Sequence, residues 1–177
     1  MLRLVVNSEH LEGVLLEAVA TCRRRLFIAT ADVKDVHFPS TNSHGRARSI
    51  LRVFRELSDH GIEVRLLHGG VPSGPFLAQL KECGLPPGMA MRRCSRVHAK
   101  AIIVDGRTMY LGSANLTGAG LGAKSPRRRN FEAGIWTDDL ALIDPVLDML
   151  DGIWTGRQCS DCGRKDVCPE PLEEPRL

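Results

Sequence analysis

The dipeptide Asp105-Gly106 sits between two short apolar runs, Ala99–Val104 and Thr108–Leu111. Asp-Gly suits a two-residue turn in which both positions need positive φ, so the two runs are expected to pair as an antiparallel hairpin. Around that hairpin, strand-length apolar runs alternate with longer amphipathic stretches. Leu26–Ala31, Ile62–Leu67 and Phe131–Thr137 read as further strands. Glu9–Thr21 sets Leu11, Val14, Leu15, Ala18 and Val19 on one helical stripe, with Asn7 or Ser8 as its cap. Arg46–His60 ends at Gly61, Pro75–Cys83 is stopped by Gly84 and Pro86-Pro87, and Leu140–Ile153 is a closing helix. Thr41–Gly45 is polar and reads as a loop. This alternation, with one hairpin, predicts an α/β sandwich in which a mixed β-sheet is flanked by helices.

A chain of 177 residues is long enough to bury one core without disulfide staples. The expected division is a body over 1–156 and a cysteine- and proline-rich tail over 157–177, where the composition changes. No stretch approaches the roughly 18 to 20 apolar residues that a membrane-spanning helix needs, so no membrane span is expected. Glu9, Glu12 and Glu17 interrupt the segment where the apolar part of an export signal would lie, which makes a cytoplasmic location the expectation.

The chemistry is concentrated in His98-Ala-Lys100, followed by Asp105, Gly112, Ser113 and Asn115. Side chains alternate along a strand, so His98 and Lys100 are expected on the same side of theirs. An imidazole can attack phosphorus, and an ammonium two residues on can neutralise phosphoryl oxygens. Ser113 and Asn115 offer hydrogen-bond donors after the hairpin. Glu132, at the start of the next strand, carries a carboxylate suited to orienting the imidazole.

These residues meet, without a gap, the pattern H-x-K-x4-D-x6-G-S-x-N, and the chain resembles the phospholipase D superfamily. The resemblance covers residues 3–154 and implies the roles that follow. His98 is the nucleophile and forms a phosphohistidine that water resolves. Lys100 and Asn115 hold the phosphoryl oxygens, and Ser113 supports that pocket. Glu132 hydrogen-bonds the imidazole. Asp105 anchors the hairpin, with Gly112 part of the same structural motif, and catalysis needs no cofactor. Family members of double length carry two copies of the motif, whereas this chain has one. A homodimer that pairs His98 with its own copy across a two-fold axis is the resulting expectation.

Nine basic residues and one acid lie between Arg92 and Arg129, although the whole chain carries only +3. Arg92, Arg93 and Arg96 precede the motif, and Lys124, Arg127, Arg128 and Arg129 follow it. Such a rim suits the backbone of DNA or RNA, and makes a non-specific nuclease the leading expectation. A phospholipid phosphodiesterase and a non-catalytic nucleic-acid-binding module are the alternatives. In the tail, Cys159, Cys162 and Cys168 have the C-x2-C half-site of zinc and iron–sulfur centres. Their C-x2-C-x5-C spacing is similar to the cluster-binding end of certain iron–sulfur nucleases, in which a fourth cysteine comes from far upstream. Cys94, Cys22 or Cys83 is that fourth ligand in this reading, with Cys94 or Cys22 preferred and Cys94 taken as the ligand; for zinc, His68 is an alternative.

Overall fold

The computed structural model describes residues 1–38, 47–166, 168 and 174. The expected loop Thr41–Gly45, with His44, and the start of the second helix at Arg46 lie outside these residues. In chain order the elements begin with strand β1 (Leu2–Val6). Helix α1 follows, π-wound over Leu11–Leu16 and α-helical over Glu17–Thr21. Strand β2 (Arg25–Thr30) and the short pair β3 (His37–Phe38) and β4 (Arg48–Ser49) come next. Then come α2 (Ile50–Asp59), β5 (Glu63–His68), α3 (Gly74–Cys83), β6 (Met89–Arg93), β7 (Ala101–Val104), β8 (Thr108–Gly112), β9 (Ala133–Thr137) and α4 (Leu140–Trp154).

Seven strands form one sheet in the order β1-β9-β8-β7-β2-β5-β6. Strands β2, β5 and β6 run parallel, while β7, β8, β9 and β1 are joined antiparallel, so the sheet is mixed as expected. The turn between β7 and β8 has positive φ at both Asp105 (54°) and Gly106 (70°), the backbone that Asp-Gly favours. Two caps hold as side-chain hydrogen bonds. Ser49 accepts from the Arg52 N–H at 3.4 Å ahead of α2, and Asp139 from the Ala141 N–H at 2.9 Å ahead of α4.

Each face of the sheet buries a separate apolar layer. Leu26, Ile28, Val64, Leu66, Ile102 and Tyr110 face α1, α2 and α3. Phe27, Ala29, Leu67, Ala101 and Ile103 face α4, which packs Ile143, Leu150 and Trp154 onto them. Each fully buried Leu or Phe contributes roughly 1.5–3 kcal/mol. The period-2 alternation within β2 and β7 therefore separates two cores, which is why both strands read as continuous apolar runs. No helix among the described residues is long and apolar enough to cross a membrane.

Four strands, β1, β3, β4 and β6, arise where the sequence reading places none; β4 occupies the start of the expected helix Arg46–His60, and β1 and β6 are the two edges of the seven-stranded sheet. Each of these edge strands is a five-residue run interrupted by arginine, Arg3 in Leu2–Val6 and Arg92-Arg93 in Met89–Arg93, too short to set a clear period. Asn7, expected as a helix cap, instead has a positive φ of 49° and binds the chain ahead of β9. Its N–H donates to Glu132 O at 2.8 Å, and its Oδ1 accepts the Glu132 N–H at 3.2 Å.

Candidate active site

The parallel strands β2 and β5 end at Thr30 and His68, and β7 begins beside them at Ala101. Ligand sites in α/β sheets form outside the carboxyl ends of parallel strands, and the motif residues gather at this end. Val97 O packs against Gly69 so closely that a Cβ there would collide with it. Gly70 donates to Ala31 O at 2.8 Å, and Cys94 to His68 O at 2.9 Å. These backbone bonds fix the approach to His98.

The His98 side chain is exposed, whereas Lys100 is only 9% exposed. Lys100 Nζ donates to His98 O at 2.8 Å and lies 3.1 and 3.2 Å from the two ring nitrogens. Burial pulls the Lys100 ammonium below the usual lysine range, and the negative charge of Glu132 partly restores it. The expected juxtaposition of imidazole and ammonium is therefore present.

Asn115 is held by its oxygen. Oδ1 accepts the N–H groups of Ala31 and Asp32, each at 3.1 Å, with Thr30 Oγ1 at 3.2 Å. With the oxygen so engaged, the amide NH2 is the end available to donate. The adjoining Leu116 N–H donates to Thr30 Oγ1 at 3.0 Å, which locks this segment to the end of β2.

Glu132 is engaged differently from the expectation. Ser113 Oγ donates to its Oε2, and Asn130 Nδ2 donates to its Oε1 at 2.9 Å. Among the described residues no hydrogen bond joins it to His98. The residue lies at the β8–β9 junction, where Ser113 Oγ also accepts the Ala133 N–H at 3.1 Å. Its carboxylate therefore fastens Ser113 to the start of β9 and supplies the negative charge felt by Lys100. Asn130 is a member of this network that the motif reading did not include.

Beneath it lies Tyr110, fully buried, whose Oη accepts the Ala114 N–H at 3.2 Å. Burial pushes its phenol up to about 12, so it stays neutral as a support. Its ring meets His10 edge-on, with centroids 5.3 Å apart. Gly112 and Gly134 face each other across β8 and β9, and a Cβ on either would run into the Tyr110 ring or hydroxyl. That close approach explains the glycine at position 112 of the motif.

Asp105 stands apart from the pocket. Its carboxylate accepts the N–H groups of Arg23 at 3.0 Å, Arg24 at 2.8 Å and Arg25 at 2.8 Å. Burial pushes this carboxyl up, but the three N–H bonds overcome that and hold it below the usual aspartate range. It ties the β7–β8 turn to the chain entering β2.

The basic rim divides in two. Arg92 Nη1 donates to Trp154 O at 2.5 Å with its guanidinium 5.0 Å above the indole centroid, and Arg93 Nε donates to Gly69 O at 3.2 Å. Both are half-buried supports of the fold, because β6 turns them onto α4 and the glycine turn. Arg96 is exposed, but Nη1 lies 3.7 Å from Cys162 Sγ. Lys124, Arg127 and Arg128 are exposed around the 3-10 turn Pro126–Arg128, just ahead of Asn130 and Glu132. Arg129 is half-buried, its Nε donating to Lys124 O at 2.6 Å.

Cys94, Cys159, Cys162 and Cys168 line one cavity of about 550 Å³. None of the six cysteines is in a disulfide. Among the described residues, no three His, Cys, Asp or Glu side chains converge tightly enough to hold a single metal ion. Cys22 is buried elsewhere, its thiol donating to Asp105 Oδ1 at 3.7 Å, and Cys83 is exposed at the end of α3.

An exposed imidazole, a buried ammonium and a backbone-locked carboxamide thus meet at one end of the mixed sheet. Comparison with known proteins gives the family. The sequence profile described as cardiolipin synthase, PLD-like domain, matches residues 15–154, and the chain belongs to this phospholipase D-like family. No curated protein matches it in sequence. The fold is similar to that of Nuc from Salmonella typhimurium, a phospholipase D family member, with 16% identity, full coverage of both chains and a TM-score of 0.64. It is similar to that of NucT from Helicobacter pylori at 17% identity, covering 84% of this chain and 92% of that one, with a TM-score of 0.61. The archaeal chromatin protein TrmBL2 shares the fold at 13% identity and a TM-score of 0.53, over 87% of this chain and 52% of its own.

Proposed function

We propose that this protein is a nuclease that hydrolyses DNA or RNA phosphodiesters through a phosphohistidine on His98, with no metal ion in the reaction. The observation that carries this reading is the contact of Lys100 Nζ with the His98 ring, which sets a cation beside the exposed imidazole of the motif. A ring nitrogen of His98 attacks phosphorus. As the N–P bond forms, the P–O bond to the leaving nucleoside breaks, and the leaving oxygen takes a proton from a second imidazole. Water then attacks the phosphohistidine, gives its proton to that second imidazole, and releases His98. Lys100 and the Asn115 NH2 donate to the non-bridging oxygens in both steps.

The second imidazole is assigned to His98 of the partner subunit in a two-fold homodimer. Support comes from exposed apolar side chains on the β1–β9 side of the sheet. Leu2 and Leu4 on the edge strand β1 are 65% and 67% exposed, and Phe131 beside Glu132 is 96% exposed. Such side chains suit burial against a second copy.

Nucleic acid is favoured as substrate by exposed Lys124, Arg127 and Arg128 beside Glu132, which match a phosphate backbone. The profile's lipid-enzyme description makes a phospholipid diester the second reading. The test incubates labelled single- and double-stranded DNA, RNA and a phospholipid diester with the protein in excess chelator. Nucleic acid cut by the wild type and left intact by His98→Ala supports the proposal. Turnover of lipid alone overturns the substrate assignment, and binding without turnover overturns the enzyme assignment.

A further inference from the structure

Four cysteines from two distant parts of the chain meet on one cavity. Cys94 lies in the turn between β6 and β7, whereas Cys159, Cys162 and Cys168 lie beyond α4. The segment after α4 is wound into successive turns. Cys159 N–H donates to Gly156 O at 2.9 Å, Cys162 N–H to Cys159 O at 3.3 Å, and Cys168 N–H to Arg164 O at 3.0 Å. These turns bring three thiols round to the wall that already carries Cys94.

The rest of the lining is suited to an anionic, sulfur-rich occupant. Arg96 Nη1 approaches Cys162 Sγ at 3.7 Å, and Lys165 is also on the wall. Met149 and Ile153 from α4 supply the apolar side. Ser95 Oγ lies in the same lining, buried and without a hydrogen-bond partner in the structure. A buried hydroxyl left unbonded costs free energy, and a cluster sulfide or thiolate ligand would accept its proton.

We propose that Cys94, Cys159, Cys162 and Cys168 bind an iron–sulfur cluster that clamps the C-terminal segment to the turn leading into the catalytic strand. Thiolates are the ligands such clusters use, and each cysteine loses its proton on binding. A cluster is preferred to a zinc ion on the size of the cavity. One tetrahedral zinc needs four sulfurs about 2.3 Å from a single point, whereas the four cysteines here line a cavity of about 550 Å³, with room for a multi-atom centre. His68 is not on the wall; its Nδ1 lies 2.8 Å from Gly70 O. The clamp is structural. Cys94 is four residues from His98, so the centre steadies the approach to the nucleophile without touching substrate.

The test uses the full chain purified without oxygen, with iron, acid-labile sulfide and zinc measured per chain beside the visible spectrum. Expected are bound iron and sulfide with a broad sulfur-to-iron charge-transfer band. Cys94→Ser and Cys162→Ser should each lose most of it, while Cys83→Ser and His98→Ala keep it. Retention by His98→Ala separates this proposal from the catalytic one. Because a cysteine variant can fail to fold, the chelator-stripped wild type gives a second readout. Ferrous iron with sulfide should restore the spectrum and raise the melting temperature. Zinc without sulfide in the purified protein, equal rescue by zinc alone, iron retained in Cys94→Ser, or no metal taken up under any condition would overturn the proposal.

Discussion

Asp105 is a residue of the catalytic motif whose contacts are all structural, which makes Asp105→Ala and Asp105→Asn an informative pair. The alanine variant removes the acceptor for three backbone N–H groups. The Arg23 and Arg24 bonds are exposed, so water can replace them, whereas the Arg25 bond is half-buried. A hydrogen bond to a charged group contributes about 1.5–3 kcal/mol, which sets the loss for the Arg25 bond alone. Alanine at the left-handed φ of 54° adds strain, about 1–2 kcal/mol. The sum is about 3–5 kcal/mol, or roughly 6–20 °C in melting temperature for a domain of this size. Asparagine tolerates that backbone and keeps one acceptor, so its cost is about 1–2 kcal/mol. Urea unfolding reads both values. The pH dependence adds a sign. Because the folded pKa of Asp105 is depressed, its contribution is complete above the ordinary aspartate value and is lost as pH falls through the folded one. Asp105→Asn should lack that acid-side loss. Below the melting transition both variants should turn over substrate like the wild type. An Asp105→Asn protein as stable as wild type but without activity would refute the structural assignment.

Lys100→Met should reduce turnover by about 10²–10³-fold, since it removes a donor aimed at the phosphoryl oxygens. Its stability should not fall, because a desolvated cation is replaced by an apolar chain of similar length. In the wild type the lowered Lys100 pKa makes stability rise as pH climbs from the folded value to the unfolded one; Lys100→Met should lose that rise. Gly112→Ala places a Cβ against Tyr110 Oη and 2.7 Å from Ala133 O, so overpacking should cost about 1–3 kcal/mol in urea unfolding. Leu4→Arg with Phe131→Asp should shift the protein to monomer in sedimentation and lower turnover in parallel. A monomer of undiminished activity would remove the assigned role of a second His98.

Much of this molecule could be read from its sequence, and the exceptions share physical causes. Strands β2, β5, β7 and β8 are buried on both faces or closed by Asp105-Gly106, so hydrophobic runs and one turn identify them. Strands β1 and β6 escape because a five-residue run broken by Arg3, or ending in Arg92-Arg93, is too short to set a period. His98 and Lys100 lie just ahead of β7, and Ser113 and Asn115 just after β8, so their spacing along the hairpin is enough to bring them together. What spacing does not encode is which acceptor a long side chain chooses. Glu132 bonds Ser113 and Asn130 instead of the imidazole, and Arg92 turns onto Trp154. Charge counting treats every arginine as a free cation, although packing had already claimed two of those ahead of the motif. The joining of Cys94 to the tail depends on how the segment after α4 folds back, a tertiary event that local pattern does not carry.

The most direct test of the central claim is trapping of the covalent intermediate. An end-labelled oligonucleotide is mixed with the protein in excess chelator, quenched rapidly, and the labelled peptide is mapped. Label attached to His98, absent from His98→Ala together with all cleavage, is the predicted result. Cleavage that persists in His98→Ala, or that stops when divalent ions are removed, would contradict it.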